Sequence, residues 1–269
     1  MKFPIASCTL VALVVTLAGC SKKAEPSAPP PAVTPPAPGP EAPSPSGKPK
    51  ASPPLDPGSE SAGASPEAQK AAVAVVETKF KGKVRRNPGS GVVTAVSLNQ
   101  FLDGATVTDA GLKELSPFQD LTDLDLGRNA ITDTGLKDLA AFKKLSNLAL
   151  NETQVTDAGM KDLARLTSLT SLGLSGTKVT DAGIKDLAPL TNLTWLGVPG
   201  QITDAAMKDI ASHAELKTLF LGGSKVTDAG LKDLAALKKL TLLNVANTPV
   251  SENGVADLKK ALPNCNIIK

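Results

Sequence analysis

Val226–Leu240 reads VTDAGLKDLAALKKL. Close relatives of this stretch begin at Val107, Ile131, Val155, Val179 and Ile202, and a worn copy begins at Val250. Successive starts lie 24 residues apart, except for the step from Val179 to Ile202, which is 23. A fixed period in the twenties predicts a solenoid, because each unit buries its apolar row only by stacking on the next.

Upstream of each copy lies L-x-x-L-x-L-x-x-[NTS]-x-[VI]. Leu121, Leu124 and Leu126 open one such unit, and Asn129 and Ile131 complete it. The pattern returns through Leu145, Leu169, Leu193, Leu216 and Leu240. The L-x-L alternation predicts a short strand with both leucines on one face. Thr and Asp then open a helix, where either side chain caps free N–H groups. Leu231 and Leu234, three apart, turn inward from that helix.

These motifs resemble the leucine-rich repeat family, in particular the bacterial 24-residue class whose TDAGL segment is similar to the ribonuclease-inhibitor-like branch. The resemblance covers Val93–Lys269. It implies an α/β fold: a right-handed horseshoe solenoid with a parallel sheet on the concave side and helices on the convex side. It also implies a binding scaffold rather than an enzyme.

Composition agrees with such a core. Aromatics make up 3% of the chain and Tyr is absent, so Leu and Ala must fill the layers. A formal charge of +3 is near neutral for 269 residues. Lys and Arg do not interleave with aromatics, which argues against nucleic acid as a partner. No HExxH, G-x-S-x-G, P-loop or Cys/His metal spacing occurs, so no cofactor, metal site or catalytic residue is expected. The single histidine, His213, sits in ASHAEL at a helix end and reads as a surface or capping residue. Asp123 and Asp125 are paired carboxylates on one strand face, but acid–base pairs for sugar hydrolysis usually span a cleft.

At the N-terminus Lys2 precedes an apolar run from Ile5 to Ala18, which is too short for a comfortable membrane span and suits a signal peptide. It ends in Leu17-Ala18-Gly19-Cys20. That end resembles the bacterial lipobox, which implies acylation of Cys20 and cleavage before it. Several acyl chains together hold a protein on a bilayer stably. Ser21 after the cysteine implies the outer membrane. Residues 1–20 are thus read as a lipoprotein signal peptide and 21–65 as a disordered Pro/Ala/Ser-rich linker, which buries too little surface to fold. Extended, it reaches on the order of 100 Å. The three cysteines show no disulfide pattern; Cys265 replaces a core leucine.

Residues 66–98 are read as a cap of helix, hairpin and first strand, and 99–269 as the repeats with a C-terminal cap strand. Ser65 and Pro66 suit a helix start, and Asn87-Pro88-Gly89-Ser90-Gly91 a turn. Within the repeats, Asp109, Asp133, Asp157, Asp181, Asp204 and Asp228 form a column that tempts a calcium reading. Each also meets a helix dipole and precedes a Lys by four, which predicts i,i+4 pairs of roughly 0.2–0.5 kcal/mol. A second ladder runs through Asn129, Thr153, Thr177, Ser224 and Thr248; the resemblance implies that it bonds neighbouring backbones, which buried polar groups also need.

A partner must be read from the variable concave positions. Asp123, Asp125 and nearby Glu152 make an acidic N-terminal half. Trp195, Phe220 and Leu242 put large apolar groups on the C-terminal half, beside Gly173, Gly197 and Thr218. Concave aromatics are typical anchors for a protein or peptide ligand. The rival reading lays Trp195 flat on the glycine floor. Two other functions compete with protein binding: a passive structural envelope protein and a glycan- or peptidoglycan-binding module.

Overall fold

The computed structural model describes residues 64–99 and 106–269. Cys20, the signal peptide, nearly all of the linker and the Phe101–Leu102 stretch lie outside the described residues. Among the described residues no helix is long and apolar enough to cross a membrane.

Among the described residues nine strands form one sheet in chain order. They are β1 (Lys83–Arg86), β2 (Val93–Ser97), β3 (Asp123–Asp125), β4 (Asn147–Ala149), β5 (Ser171–Gly173), β6 (Trp195–Gly197), β7 (Thr218–Phe220), β8 (Leu242–Asn244) and β9 (Asn266–Ile268). β1 and β2 make an antiparallel hairpin, and every later pairing is parallel. Short helical segments return the chain between strands, as the period demands. In β3 to β8 the middle residue, such as Leu148, Leu172 and Leu196, is buried. The residues either side of it face the other way, so one face of the sheet joins the core and the other presents the concave rows.

The TDAG segment locks each repeat to the next. Thr132 donates its N–H to Asp109 Oδ1 at 2.8 Å and its hydroxyl to Asp109 Oδ2 at 2.6 Å. The same two bonds join Thr156 to Asp133, Thr180 to Asp157, Thr203 to Asp181, Thr227 to Asp204 and Ser251 to Asp228. The threonine hydroxyl meanwhile accepts from its own helix, as from Ala158 N at 3.3 Å. The column is therefore a chain of inter-repeat bonds, and its carboxylate oxygens are already occupied. The expected Asp–Lys pairs four residues apart do not form among the described residues. The carboxylates point along the solenoid to the next layer instead of around their own helix.

The glycine of TDAG follows from the same lock. A Cβ on Gly159 would lie 2.6 Å from Asp133 Oδ1, and one on Gly135 2.5 Å from Asp109 Oδ1. In these repeats the glycine leaves room for the preceding carboxylate to cross, whereas the Asp181–Thr203 lock forms beside Ala206. The repeat that carries Ala206 there is the 23-residue one.

The missing residue belongs to the turn after β6. In other repeats the second residue after the third leucine has a left-handed backbone: Arg128 (φ 63), Glu152 (φ 57), Gly176 (φ 72), Gly223 (φ 74) and Asn247 (φ 58). Val198-Pro199-Gly200-Gln201 lacks that position. The Gln201 side chain donates to Thr177 O at 3.0 Å and to Val179 O at 2.5 Å.

The polar ladder departs from expectation. Asn129 does reach the neighbouring layer, donating to Leu98 O at 2.8 Å and accepting from Val107 N at 2.9 Å. Thr153 and Thr177 donate to carbonyls of their own repeats, Leu150 and Leu174, at 2.7 Å.

His213 is the clearest correction. It is 1% exposed, at the position filled by Phe118, Phe142, Leu166, Leu190 and Leu237 in other repeats. Its Nδ1 lies 3.1 Å from Leu190 O, while Nε2 has no partner. The residue is a core layer, not a surface or capping group. Burial pushes its imidazole pKa down.

At the N-terminal end, α1 (Pro66–Ala74) is capped by Ser65 Oγ, which accepts from Ala68 N at 3.2 Å. It runs on into one wide π turn, Val75–Lys79. This end buries Val76 and Phe80 against the first repeat. At the other end the helix Glu252–Ala261 and β9 bury Cys265 completely. Burial pushes the Cys265 thiol pKa up, as expected of an inert core cysteine.

Candidate functional site

The register brings the concave positions into rows. One row runs Arg85, Ala95, Asp123, Asn147, Ser171, Trp195, Thr218 and Leu242. The next runs Lys83, Ser97, Asp125, Ala149, Gly173, Gly197, Phe220 and Asn244. Trp195 and Phe220 sit on adjacent strands and pack together, with ring centroids 5.4 Å apart and planes tilted by 41°. The six-membered edge of the indole overhangs Gly197, so close that an added Cβ would meet Trp195 Cη2 at 3.0 Å. The ring therefore leans on the glycine floor and also stands beside Phe220. Both aromatics are half-buried.

Two clefts share the Trp195 wall. The larger, of about 460 Å³, runs from Lys83 and Arg85 past Asp123, Asn147 and Ser171 to Trp195. Those strands span five inter-strand spacings, roughly 24 Å. The smaller, of about 350 Å³, lies on the turn side among Asn99, Arg128, Asn151, Glu152, Trp195 and Phe220. Asp123, Asp125, Glu152, Trp195 and Phe220 thus come together around adjoining clefts. Leu242 does not. It is two strands beyond Trp195, on the far side of Thr218, and lines neither.

The acidic half is less bare than its sequence suggests. Asp123 accepts from Arg85 at 3.1 Å, Thr122 Oγ1 at 2.6 Å and Asn147 Nδ2 at 2.8 Å. Asp125 accepts from Gly127 N at 3.0 Å and Asn99 Nδ2 at 3.2 Å. Glu152 pairs with Arg128 at 2.9 Å. These carboxylates fix the walls of the clefts. The arrangement suits recognition of a neutral or mixed-charge polar chain with one apolar group against the indole.

Lys83, Arg85, Asn147 and Asn151 also line the clefts; the first two lie outside the repeat pattern, and the asparagines hold concave positions within it. The signal for the first two was the alternation Lys83-Val84-Arg85 before the hairpin turn, which carries the concave rows one strand beyond the parallel repeats.

The leucine-rich repeat family model matches residues 119–140 and 165–188. No curated protein matches the chain by sequence. Among solved structures, a leucine-rich repeat protein of Leptospira interrogans is similar at 27% identity and TM-score 0.46, over 58% of this chain and 39% of that one. An internalin (InlF) of Listeria monocytogenes is 23% identical with TM-score 0.43, over 58% of this chain and 49% of its own. Internalin C2 of the same organism is 24% identical with TM-score 0.46, over 73% of this chain and 92% of its own. The chain thus spans less than half of the first two. The described residues form a leucine-rich-repeat solenoid with a parallel sheet, and two of their segments match that family's model.

Proposed function

We propose that this chain is a non-catalytic module of the bacterial cell envelope, exported and anchored in the outer membrane through acylated Cys20. Its concave face binds a protein or peptide. Leucine-rich-repeat solenoids commonly use that face for protein–protein interaction. The observation that carries the reading is the Trp195–Phe220 pair, half-buried at the wall common to two clefts. Other repeats place Asp, Asn, Ser, Thr or Leu in the Trp195 row, and Asp, Ala, Gly or Asn in the Phe220 row, so no other repeat puts an aromatic there. An aromatic pair beside a polar rim is the composition of a binding anchor.

Crosslinking in intact cells, read by mass spectrometry, tests the partner. One discrete crosslinked protein, lost in the Trp195→Ala/Phe220→Ala double variant, is expected. Diffuse crosslinks to cell wall, or full retention by the double variant, would turn the reading toward a passive spacer or a glycan binder. Palmitate labelling tests the anchor separately: it is expected on the natural chain and absent from Cys20→Ala, and its persistence in the variant would refute the lipobox.

A further inference from the structure

Charge is not spread evenly along the chain. Residues 64–99 hold Lys70, Lys79, Lys81, Lys83, Arg85 and Arg86 against Glu67 and Glu77, a net +4. Residues 106–269 hold 18 Lys and Arg against 19 Asp and Glu, a net −1. All six cations of the first segment are exposed. Arg85 pairs with Asp123, and Lys79 lies 3.9 Å from Glu114. Lys70, Lys81, Lys83 and Arg86 have no carboxylate partner among the described residues.

The fold gathers these side chains at one end. β1 is the outermost strand of the sheet. Lys83 stands on its concave side, opposite Ser97. Arg86 shares a surface hollow of about 570 Å³ with Lys70, Gln69 and Ser90 on the α1 side. Lys81 sits between, with a left-handed backbone (φ 54) that ordinarily selects glycine or asparagine. Nothing in the packing needs a lysine at that exposed position.

We propose that this basic cap docks on the phosphate headgroups of an anionic lipid surface. Unpaired lysines and arginines collected at one end of a near-neutral body meet such a surface with additive attraction. Nucleic acid fits less well, because the cap presents no exposed aromatic on which bases stack; Phe80 is buried. The docking is weak alone. It gains from the Cys20 anchor proposed above, since attachment of the same chain to the bilayer converts it into an intramolecular contact. The solenoid then stands end-on to the bilayer, with its concave clefts opening sideways.

The test uses the chain from Ser21 onward, which keeps every described residue and carries no acyl group, so it does not depend on the anchor. The chain is sedimented with vesicles of phosphatidylcholine alone or mixed with phosphatidylglycerol. Partition into the anionic vesicles is expected to be at least about tenfold higher, and to fall with added salt. Lys81→Glu/Lys83→Glu/Arg86→Glu is expected to abolish the difference with its thermal melt unchanged. If that variant unfolds, Lys81→Gln/Lys83→Gln/Arg86→Gln takes its place. Equal partition into both vesicles, anionic binding that survives the cap substitutions, or equally tight binding to duplex DNA would overturn the proposal.

Discussion

Gln201 Nε2 donates to Val179 O at 2.5 Å, and in doing so replaces a backbone bond. At the junctions below Val107, Ile131, Val155 and Ile202 the same carbonyl position is met by a main-chain N–H, from Ala130, Gln154, Lys178 and Lys225. The 23-residue repeat has lost the residue that would set that N–H in place, and a side chain two carbons longer than a turn residue spans the gap. Gln201→Ala leaves a carbonyl of a buried residue unmet. It is expected to cost about 1–3 kcal/mol in urea unfolding, whereas Gln154→Ala, whose backbone makes the bond, is expected to change little.

The Asp–Thr lock reverses a familiar substitution rule. Gly159 lies in right-handed helical backbone (φ −80), where alanine ordinarily gains helix propensity. Here its Cβ would fall 2.6 Å from both Asp133 Oδ1 and Leu136 Cδ1. Gly159→Ala is expected to destabilise by about 1–3 kcal/mol, measured by denaturant midpoint at constant slope. A gain in stability would show that the lock tolerates displacement.

Acid should loosen the last lock. Two hydrogen bonds from Ser251 hold the Asp228 carboxyl below its ordinary pKa. A depressed carboxyl contributes stability above its unfolded value, and loses it as pH falls through the lower folded value. Hydrogen exchange at the C-terminal end is expected to rise in that acid range. Ser251→Ala should shrink the change; an unaltered profile would separate Asp228 from the acid response.

His213 acts at milder pH. Its folded pKa is lowered by burial, so the unfolded chain binds the proton first. Stability is therefore complete above the unfolded value near 6.5 and declines as pH falls below it. His213→Leu, which matches Leu190 and Leu237, is expected to flatten the dependence between about pH 7 and pH 5 without loss at neutral pH. Urea midpoints at several pH values decide it.

Cys265 should resist modification. In a Cys8→Ser/Cys20→Ser background, maleimide labelling is expected to be slow in the native protein and to accelerate with denaturant, because the thiol is fully buried.

The architecture was legible because repetition states it six times over: Leu124, Leu148 and Leu172 fall on the core face wherever the period is counted from. The Trp195–Phe220 contact followed from register alone. What escaped was set between layers. Nothing local in TDAG says that its Asp bonds the next Thr, because a capping Asp and a bridging Asp have the same neighbours in sequence. His213 was misjudged from its polarity, although its place beside Leu190 and Leu237 in the period already assigned it to the core. The saturation of Asp123 depends on Arg85, 38 residues away on a hairpin outside the repeat pattern.

The Asp–Thr lock gives every regular unit a male and a female end of identical chemistry. Any unit can therefore be copied or removed whole, and the flanking units will rejoin without a new interface. Duplication of gene segments would lengthen such an array at little risk to folding. The unit ending in Gln201 is the exception. It meets the Thr177 and Val179 carbonyls through a side chain, so a copy of this unit would carry its irregular joint, and Trp195 beside it, to any new place.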